Sequence, residues 1–441
     1  MESEQKTKAL DSIPISKIKR AAKILGTGAK VGGNYIKYFA KKTLKPSTSK
    51  DSLHEDNATD IYAALSEMKG SALKVAQMMS MDNQVLPKAY QDKFSLAQFN
   101  APPLSYPLVL KSFQQYFGKR PNEIFDAFSK NAIHAASIGQ VHRAEKNGRS
   151  FAVKIQYPGV ADAISSDLKL VKPFASKLLN MKASEMQLYM DEVESKLIEE
   201  TDYELELKRA LEISAASHEI ENIRFPEYYP EYSNKRIITM DWMEGKMFPD
   251  FLKANPSQEI RNKIGQAMWD FYLFQMKKLN RVHADPHPGN FIINEANELC
   301  VLDFGCIKEI PLEFSSAYYQ LLNPEILNDE SRQFELYEQL QLIKNDDTPQ
   351  QKQLLRSMFQ QSIGLLAQPF HADSFDFGND AYFTKIYAMG DEIAKNKELR
   401  RMNNARGSAH AIYIMRTFFG LYSLLNQLKA EVKMNYKLYE K

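Results

Sequence analysis

The sequence predicts an α+β fold in two lobes, preceded by a helical extension, and three observations predict it. Alternating residues from Ser137 to Ala144 and from Phe151 to Gln156 flank Lys146-Asn147-Gly148-Arg149, the pattern of a β-hairpin closed by a tight turn. Arg236 to Trp242 reads as a further strand, and Met243-Glu244-Gly245 after it reads as a hinge. Beyond the hinge the pattern is mainly helical, apart from short strands around Asp303. The expected divisions are a basic segment and linker over 1–50, a helical extension over 51–116, a first lobe over 117–245 and a second over 246–441.

Composition bounds the rest. The 441 residues are 44% hydrophobic and 25% charged, the balance of a water-exposed globular chain. The net charge of +2 hides an asymmetry, since residues 1–46 hold eleven Lys or Arg against three acids. This confines the basic excess to one segment and gives nucleic-acid binding little support. No apolar run reaches the length of a membrane span, and Met1-Glu2-Ser3-Glu4 leads into no secretory apolar stretch. The two cysteines, Cys300 and Cys306, lack metal-ligand spacing with histidine and read as packing residues in a reducing compartment.

Taken in order, Ile13 to Lys42 mixes lysines with apolar and small residues. Two readings stand: a solvated, partly helical tail, or an amphipathic helix on an anionic membrane surface. Gly26, Gly28, Gly32 and Gly33 weaken any long helix here. Pro46 to Lys50 reads as a linker. Residues 56–82 read as a helix, with Ile61, Leu65, Met68, Ala72, Val75 and Met79 on one side and Lys74 and Gln77 sharing another face. A long helical stretch is expected over roughly 184–220. Ile412 to Leu425 reads as a core helix rather than a membrane contact.

The chemistry lies in Asp285-Pro286-His287-Pro288-Gly289-Asn290, followed thirteen residues after Asn290 by Asp303-Phe304-Gly305. Two prolines and a glycine stiffen the first turn, and Leu299 to Leu302 reads as a strand ending at Asp303. Mg²⁺ takes hard oxygen ligands, commonly one or two from protein with phosphate and water completing the shell. Asn290 and Asp303 supply such oxygens, leaving Asp285 to orient or deprotonate a nucleophile. A second Asp-Phe-Gly at Asp376 to Gly378, behind His371-Ala372-Asp373, has no intervening Asn and is expected to have no strand, so it cannot form the clamp.

Upstream, Lys154 sits between Val153 and Ile155, where a charge is costly unless paired. Kinases place there a lysine that reaches the α- and β-phosphates and is held by a helix glutamate. Glu200, in the acidic run Glu199 to Glu206, is the expected partner. The phosphate-covering turn would be His134-Ala135-Ala136-Ser137-Ile138-Gly139, with a single glycine.

Together these segments resemble the UbiB family of atypical kinases. The resemblance rests on Ala135 to Val141, Val153 to Val160, Asp202-Tyr203, His283 to Asn290 and Leu302 to Gly305, with Gln156 to Val160 and Phe375 to Gly378 nearest its coenzyme Q–associated branch. It implies an atypical protein-kinase-like bilobal fold with an alanine-rich loop, Ala135 to Gly139, over ATP and Mg²⁺. It also implies an extension whose Lys-x-Gly-Gln motif folds over the active site. Lys74 and Gln77 match that motif's ends, Ala76 stands in place of its glycine, and Glu206 joins them as a regulatory acid.

The resemblance further implies work on quinones or other isoprenoid lipids, with ATP hydrolysis more than protein phosphorylation. The lack of a C-terminal span leads to the expectation of peripheral contact with the inner side of a membrane, from bacterial cytoplasm or organelle matrix, through residues 13–42 or the less favoured Ile412 to Leu425. A biosynthetic complex is the implied setting. No Ala-Pro-Glu follows Asp303, so a peptide-docking platform is not expected. Two alternatives remain: a small-molecule phosphotransferase, and a non-catalytic nucleotide-sensing scaffold.

Overall fold

The computed structural model describes residues 17–45, 49–68, 70, 72, 74, 88–95, 103–135, 138–179, 183–396, 398–399 and 408–439. Two compact units divide the chain. One comprises residues 1–207 and 227–242, the other residues 208–226 and 243–441.

The first unit holds a five-stranded antiparallel sheet. Its strands run in the order Ala127–Phe128, Gly139–Lys146, Arg149–Gln156 and Ile237–Asp241, with His134–Ala135 also paired to the second. The hairpin is centred on Asn147 and Gly148, both at positive φ (51° and 72°), as a two-residue turn between right-twisted strands requires. Phe113, Phe125, Phe151, Val153, Ile155 and Ile237 form a core against one face of the sheet.

The other described elements of this unit are mainly helices. Lys17–Leu44 is one continuous helix of 28 residues, so its glycines do not break it. The reason is tertiary: the helix packs on Asp51–Met68 and Val160–Leu179, and packing overrides a propensity cost of about 1 kcal/mol per glycine. Ile24, Leu65, Met68, Phe94, Leu168 and Leu197 share its core. Arg20, buried, donates from Nε to Asp167 Oδ1 at 2.6 Å and from Nη1 to the Met68 carbonyl at 2.8 Å, with Nη2 paired to the other carboxylate oxygen. The long helical stretch expected over 184–220 is instead two helices, Ala183–Glu200 and Tyr203–Ala216, broken at Thr201-Asp202.

In the second unit Ile223–Arg224, Leu299–Val301, Phe291–Ile293 and Lys246–Met247 form a four-stranded sheet, parallel only at its first pair. Arg281–His283 pairs with Ile307–Glu309. Helices Gln258–Phe274 and Ala409–Leu428 pack together around buried Trp269, whose ring lies against Phe370, Phe377 and Tyr422. Burial of Ile414, Leu421, Tyr422, Leu424 and Leu425 makes the second of these a core helix.

The later Asp-Phe-Gly corrects one expectation. Ser374–Asp376 is a short strand, paired with Glu431–Lys433, and Gly378 N donates to Asp376 Oδ1 at 2.7 Å. The pairing with the chain's last strand gives this copy the regularity its own sequence does not signal. Asp373 and Asp376 are nonetheless exposed. Among the described residues no helix is long and apolar enough to cross a membrane.

Candidate active site

In the first unit, Lys154 lies in the central strand Arg149–Gln156, opposite Val141 on one side and Ile238 on the other. Its Nζ donates to both carboxylate oxygens of Glu206, at 2.7 and 3.1 Å, and sits 5.1 Å from the centre of the Tyr203 ring. Glu206 is 2% exposed and Lys154 18%, so the charges compensate one another away from bulk water. Glu200 instead meets the extension, with Oε1 3.0 Å from Lys74 Nζ.

The expected assignment is therefore corrected: Glu206 holds the strand lysine, and Glu200 pairs with Lys74. The helix break explains why. Glu200 ends one helix, while Asp202 Oδ1 accepts from Leu205 N at 3.0 Å and starts the next, which carries Glu206 in its first turn. The break is tied to the sheet, since Gln156 Nε2 and Arg236 Nη1 both donate to the Thr201 carbonyl, at 3.0 and 2.6 Å.

Of the turn expected to cover phosphate, Ala136 and Ser137 lie outside the described residues, as does Gln77 of the extension. Ala135 belongs to the short strand His134–Ala135, and Ile138 is buried, its carbonyl accepting from Tyr157 N at 2.9 Å. Gly139 begins the next strand opposite Gln156. A Cβ on Gly139 would lie 2.7 Å from the Ile155 carbonyl oxygen and 2.9 Å from Tyr203 Oη, so this approach requires glycine.

In the second unit, helix Gln258–Phe274 ends in a π-helical turn, and Asn280 (φ 49°) redirects the chain into Arg281–His283. The loop that follows is closely self-bonded. His287 N donates to the Asp285 carbonyl at 2.7 Å, and Gly289 N donates to His287 Nδ1 at 3.0 Å. Asn290 Nδ2 donates to the Asp285 carbonyl at 2.9 Å and faces Asp285 Oδ2 at 3.4 Å. The Asn290 amide nitrogen is thus directed at Asp285, and its oxygen is the atom that could face a cation.

The loop is joined to Asp303 at two points. Leu302 N donates to the Asn290 carbonyl at 3.0 Å, and His283 Nε2 donates to the Asp303 carbonyl at 2.8 Å. Asp303 Oδ1 accepts from Gly305 N at 2.8 Å, fixing the carboxylate's orientation. Phe304 is buried among the rings of Phe225, Phe271 and His283. Asp285, Asn290 and Asp303 are thus gathered by one hydrogen-bonded loop.

Cys300 is buried, and burial pushes its thiol up to about 11, so it stays protonated and acts as a packing residue. Burial, with the Asp285 carboxylate and Cys306 adding to it, holds the Tyr272 phenol well above its ordinary range. Among the described residues no cluster of three or more His, Cys, Asp or Glu could hold a metal. A divalent cation would take one oxygen each from Asn290 and Asp303 and the rest from phosphate and water, a donor set that suits Mg²⁺.

Sequence reasoning missed Arg416, whose Nη2 lies 3.8 Å from Asp285 Oδ1, with each side chain 27% exposed. Its signal was available: it is the single Lys, Arg, Asp or Glu in the apolar helix Ala409–Leu428.

Residues 96–337 match the family model described as the ABC1 atypical kinase-like domain. The chain is 30% identical to the Saccharomyces cerevisiae protein named atypical kinase COQ8, mitochondrial, over 98% of its own length and 86% of the relative's. It is 28% identical to the Dictyostelium discoideum probable serine/threonine-protein kinase abkA, over 95% and 78% of the two chains. Its fold resembles that of the Mycobacterium tuberculosis protein Rv3197 solved in complex with erythromycin. The TM-score is 0.60 at 25% identity, covering 89% of this chain and all of that one.

Proposed function

The chain belongs to the ABC1 atypical kinase family, the UbiB or AarF kinases, and from that premise we propose that it is an Mg-ATP-dependent ATPase-type kinase. Its work supports isoprenoid-quinone metabolism at a membrane surface. The observation that carries this reading is the two-oxygen contact of Glu206 with Lys154. Kinase chemistry requires such a pair in place to hold the α- and β-phosphates. Gly139 lets its strand close on the Ile155 carbonyl and Tyr203, beside the lysine strand, where a side chain would intrude.

Asn290 and Asp303 would hold Mg²⁺ by oxygen, and the ion would supply neutralisation of the phosphate charge. Asp285 accepts the proton of the attacking O–H as that oxygen bonds to the γ-phosphorus. The bond from the γ-phosphorus to the bridging oxygen breaks, and ADP leaves with the electron pair. Asn290 Nδ2 keeps the Asp285 carboxylate oriented throughout. Water is the acceptor this reading favours, since the chain passes from Gly305 to Pro311 without a long peptide-docking segment.

The membrane part rests on the amino-terminal helix. Lys17–Leu44 exposes Leu25 (74%), Ile36 (73%) and Phe39 (58%) beside the exposed Lys30, Lys37 and Lys41, a face suited to an anionic lipid surface. The mitochondrial address in the name of the yeast relative agrees with an organelle membrane, and the quinone branch of the resemblance supplies the substrate class.

The test is phosphate release from Mg-ATP by the full chain and by Asp285→Asn, with and without anionic vesicles and a quinone-precursor phenol. Lipid-stimulated turnover lost in the variant supports the reading. Tight nucleotide binding without turnover in any condition replaces it with a nucleotide-sensing scaffold.

A further inference from the structure

We propose that Arg416 is a positioning residue for Asp285, through which the carboxy-terminal helix controls phosphoryl transfer without contributing to nucleotide affinity. This rests on the kinase reading given above. Helix Ala409–Leu428 presents Tyr413, Arg416, Thr417 and Gly420 at steps of three, four and seven, which place them on one face.

Each meets a different part of the loop system. Lys308 Nζ, on the strand after Asp303, lies 5.2 Å from the centre of the Tyr413 ring. Thr417 Oγ1 lies 3.4 Å from the His283 carbonyl oxygen. A Cβ on Gly420 would fall 1.9 Å from Pro286 Cγ and 2.8 Å from Pro286 Cβ, and a proline ring cannot swing aside. Three neighbouring loop residues, His283, Asp285 and Pro286, therefore bear on this one face.

Arg416 supplies what the loop itself lacks. Between His283 and Asn290 there is no Lys or Arg, although negative charge accumulates at the transferring phosphoryl. With 27% of its side chain exposed the guanidinium is only partly desolvated, and a nearby carboxylate offsets that cost. Its nearest carboxylate oxygen in the loop is Asp285 Oδ1, at 3.8 Å, while Asn290 faces Oδ2 at 3.4 Å. One carboxylate oxygen thus faces the amide of its own loop and the other faces the helix cation at ion-pair distance. At 3.8 Å the contact is an ion pair through a single nitrogen, so the guanidinium acts on the carboxylate by charge, drawing Oδ1 toward the helix. The region matched as the family domain ends at residue 337, so this control comes from a segment outside it.

The experiment compares the full chain with Arg416→Gln and Arg416→Lys. It measures affinity for Mg-ADP alone and for Mg-ADP with aluminium fluoride, which mimics the planar phosphoryl in transfer, together with kcat and KM for ATP. For Arg416→Gln we expect Mg-ADP affinity within twofold of the parent and at least a tenfold loss on the mimic. Any measurable kcat falls by a similar factor while KM holds, and Arg416→Lys recovers part of the loss. Equal losses on both ligands mean that Arg416 merely supports the fold, and no loss on either removes its role. Both results overturn the proposal while leaving the kinase reading intact. Failure of the parent chain to bind Mg-ADP overturns the kinase reading and the proposal with it.

Discussion

Glu206 reaches Lys154 with both carboxylate oxygens, at 2.7 and 3.1 Å, from a side chain only 2% exposed. Removing one partner of such a pair leaves the other charge desolvated and uncompensated, at a cost of about 2–5 kcal/mol. Glu206→Gln is therefore expected to lower kcat/KM for ATP by roughly a hundredfold. Glu200→Gln, which touches Lys74, should cost far less in nucleotide affinity. Calorimetric titration of ATP into both variants checks the order. A larger loss at Glu200 would return the lysine's partnership to that residue.

Arg20 and Asp167 join the amino-terminal helix to Val160–Leu179 through a buried pair that also engages the Met68 carbonyl. Breaking it from one side, as in Arg20→Ala, should destabilise this unit by about 3 kcal/mol. For a unit of this size that lowers its melting temperature by roughly 5–10 °C. Arg20→Met combined with Asp167→Leu should recover most of the loss, because no buried charge is then stranded. Differential scanning calorimetry of the three variants separates the outcomes.

Gly420→Ala places a methyl group where the Pro286 ring lies. The helix is packed in the core, so the loop is the part expected to move. Turnover should fall at least tenfold while the melting temperature changes by less than about 3 °C. Undiminished turnover would show that the loop tolerates displacement at Pro286.

Asp270 is mostly buried, and burial pushes its carboxyl up to about 6, although hydrogen bonds from Gln266 and Asn435 oppose this. A carboxyl whose folded pKa is raised favours the fold while protonated, and that advantage is lost as pH rises from about 4 through about 6. Asp270→Asn should therefore raise the melting temperature at pH 8 and leave it nearly unchanged at pH 4. A melting profile across that range checks the sign.

Much of this was legible in the chain. The period-two hairpin, the strand lysine and the Asp285, Asn290 and Asp303 spacing are local signals, because each depends on residues close in sequence. What stayed hidden depended on tertiary contact. Glu200 and Glu206 lie in one acidic run, and only the break at Thr201, held by Gln156 and Arg236, decides which lysine each meets. Arg416 lies more than a hundred residues from Asp285, and no periodicity links them. The glycines of Lys17–Leu44 misled in the other direction, since their cost is set by neighbours the sequence does not name.

The break at Thr201-Asp202 has a thermodynamic consequence. Within seven residues the chain grips Lys74 of the extension through Glu200 and Lys154 of the sheet, the proposed nucleotide lysine, through Glu206. Should docking of the extension and binding of nucleotide be coupled through this segment, that coupling is reciprocal. Whatever factor a docked extension applies to nucleotide affinity, bound nucleotide must apply to the docking of the extension. Occupancy by nucleotide is then legible from outside as a change in amide-exchange protection around Lys74. A partner that captures the extension would alter the retention of nucleotide by the same factor.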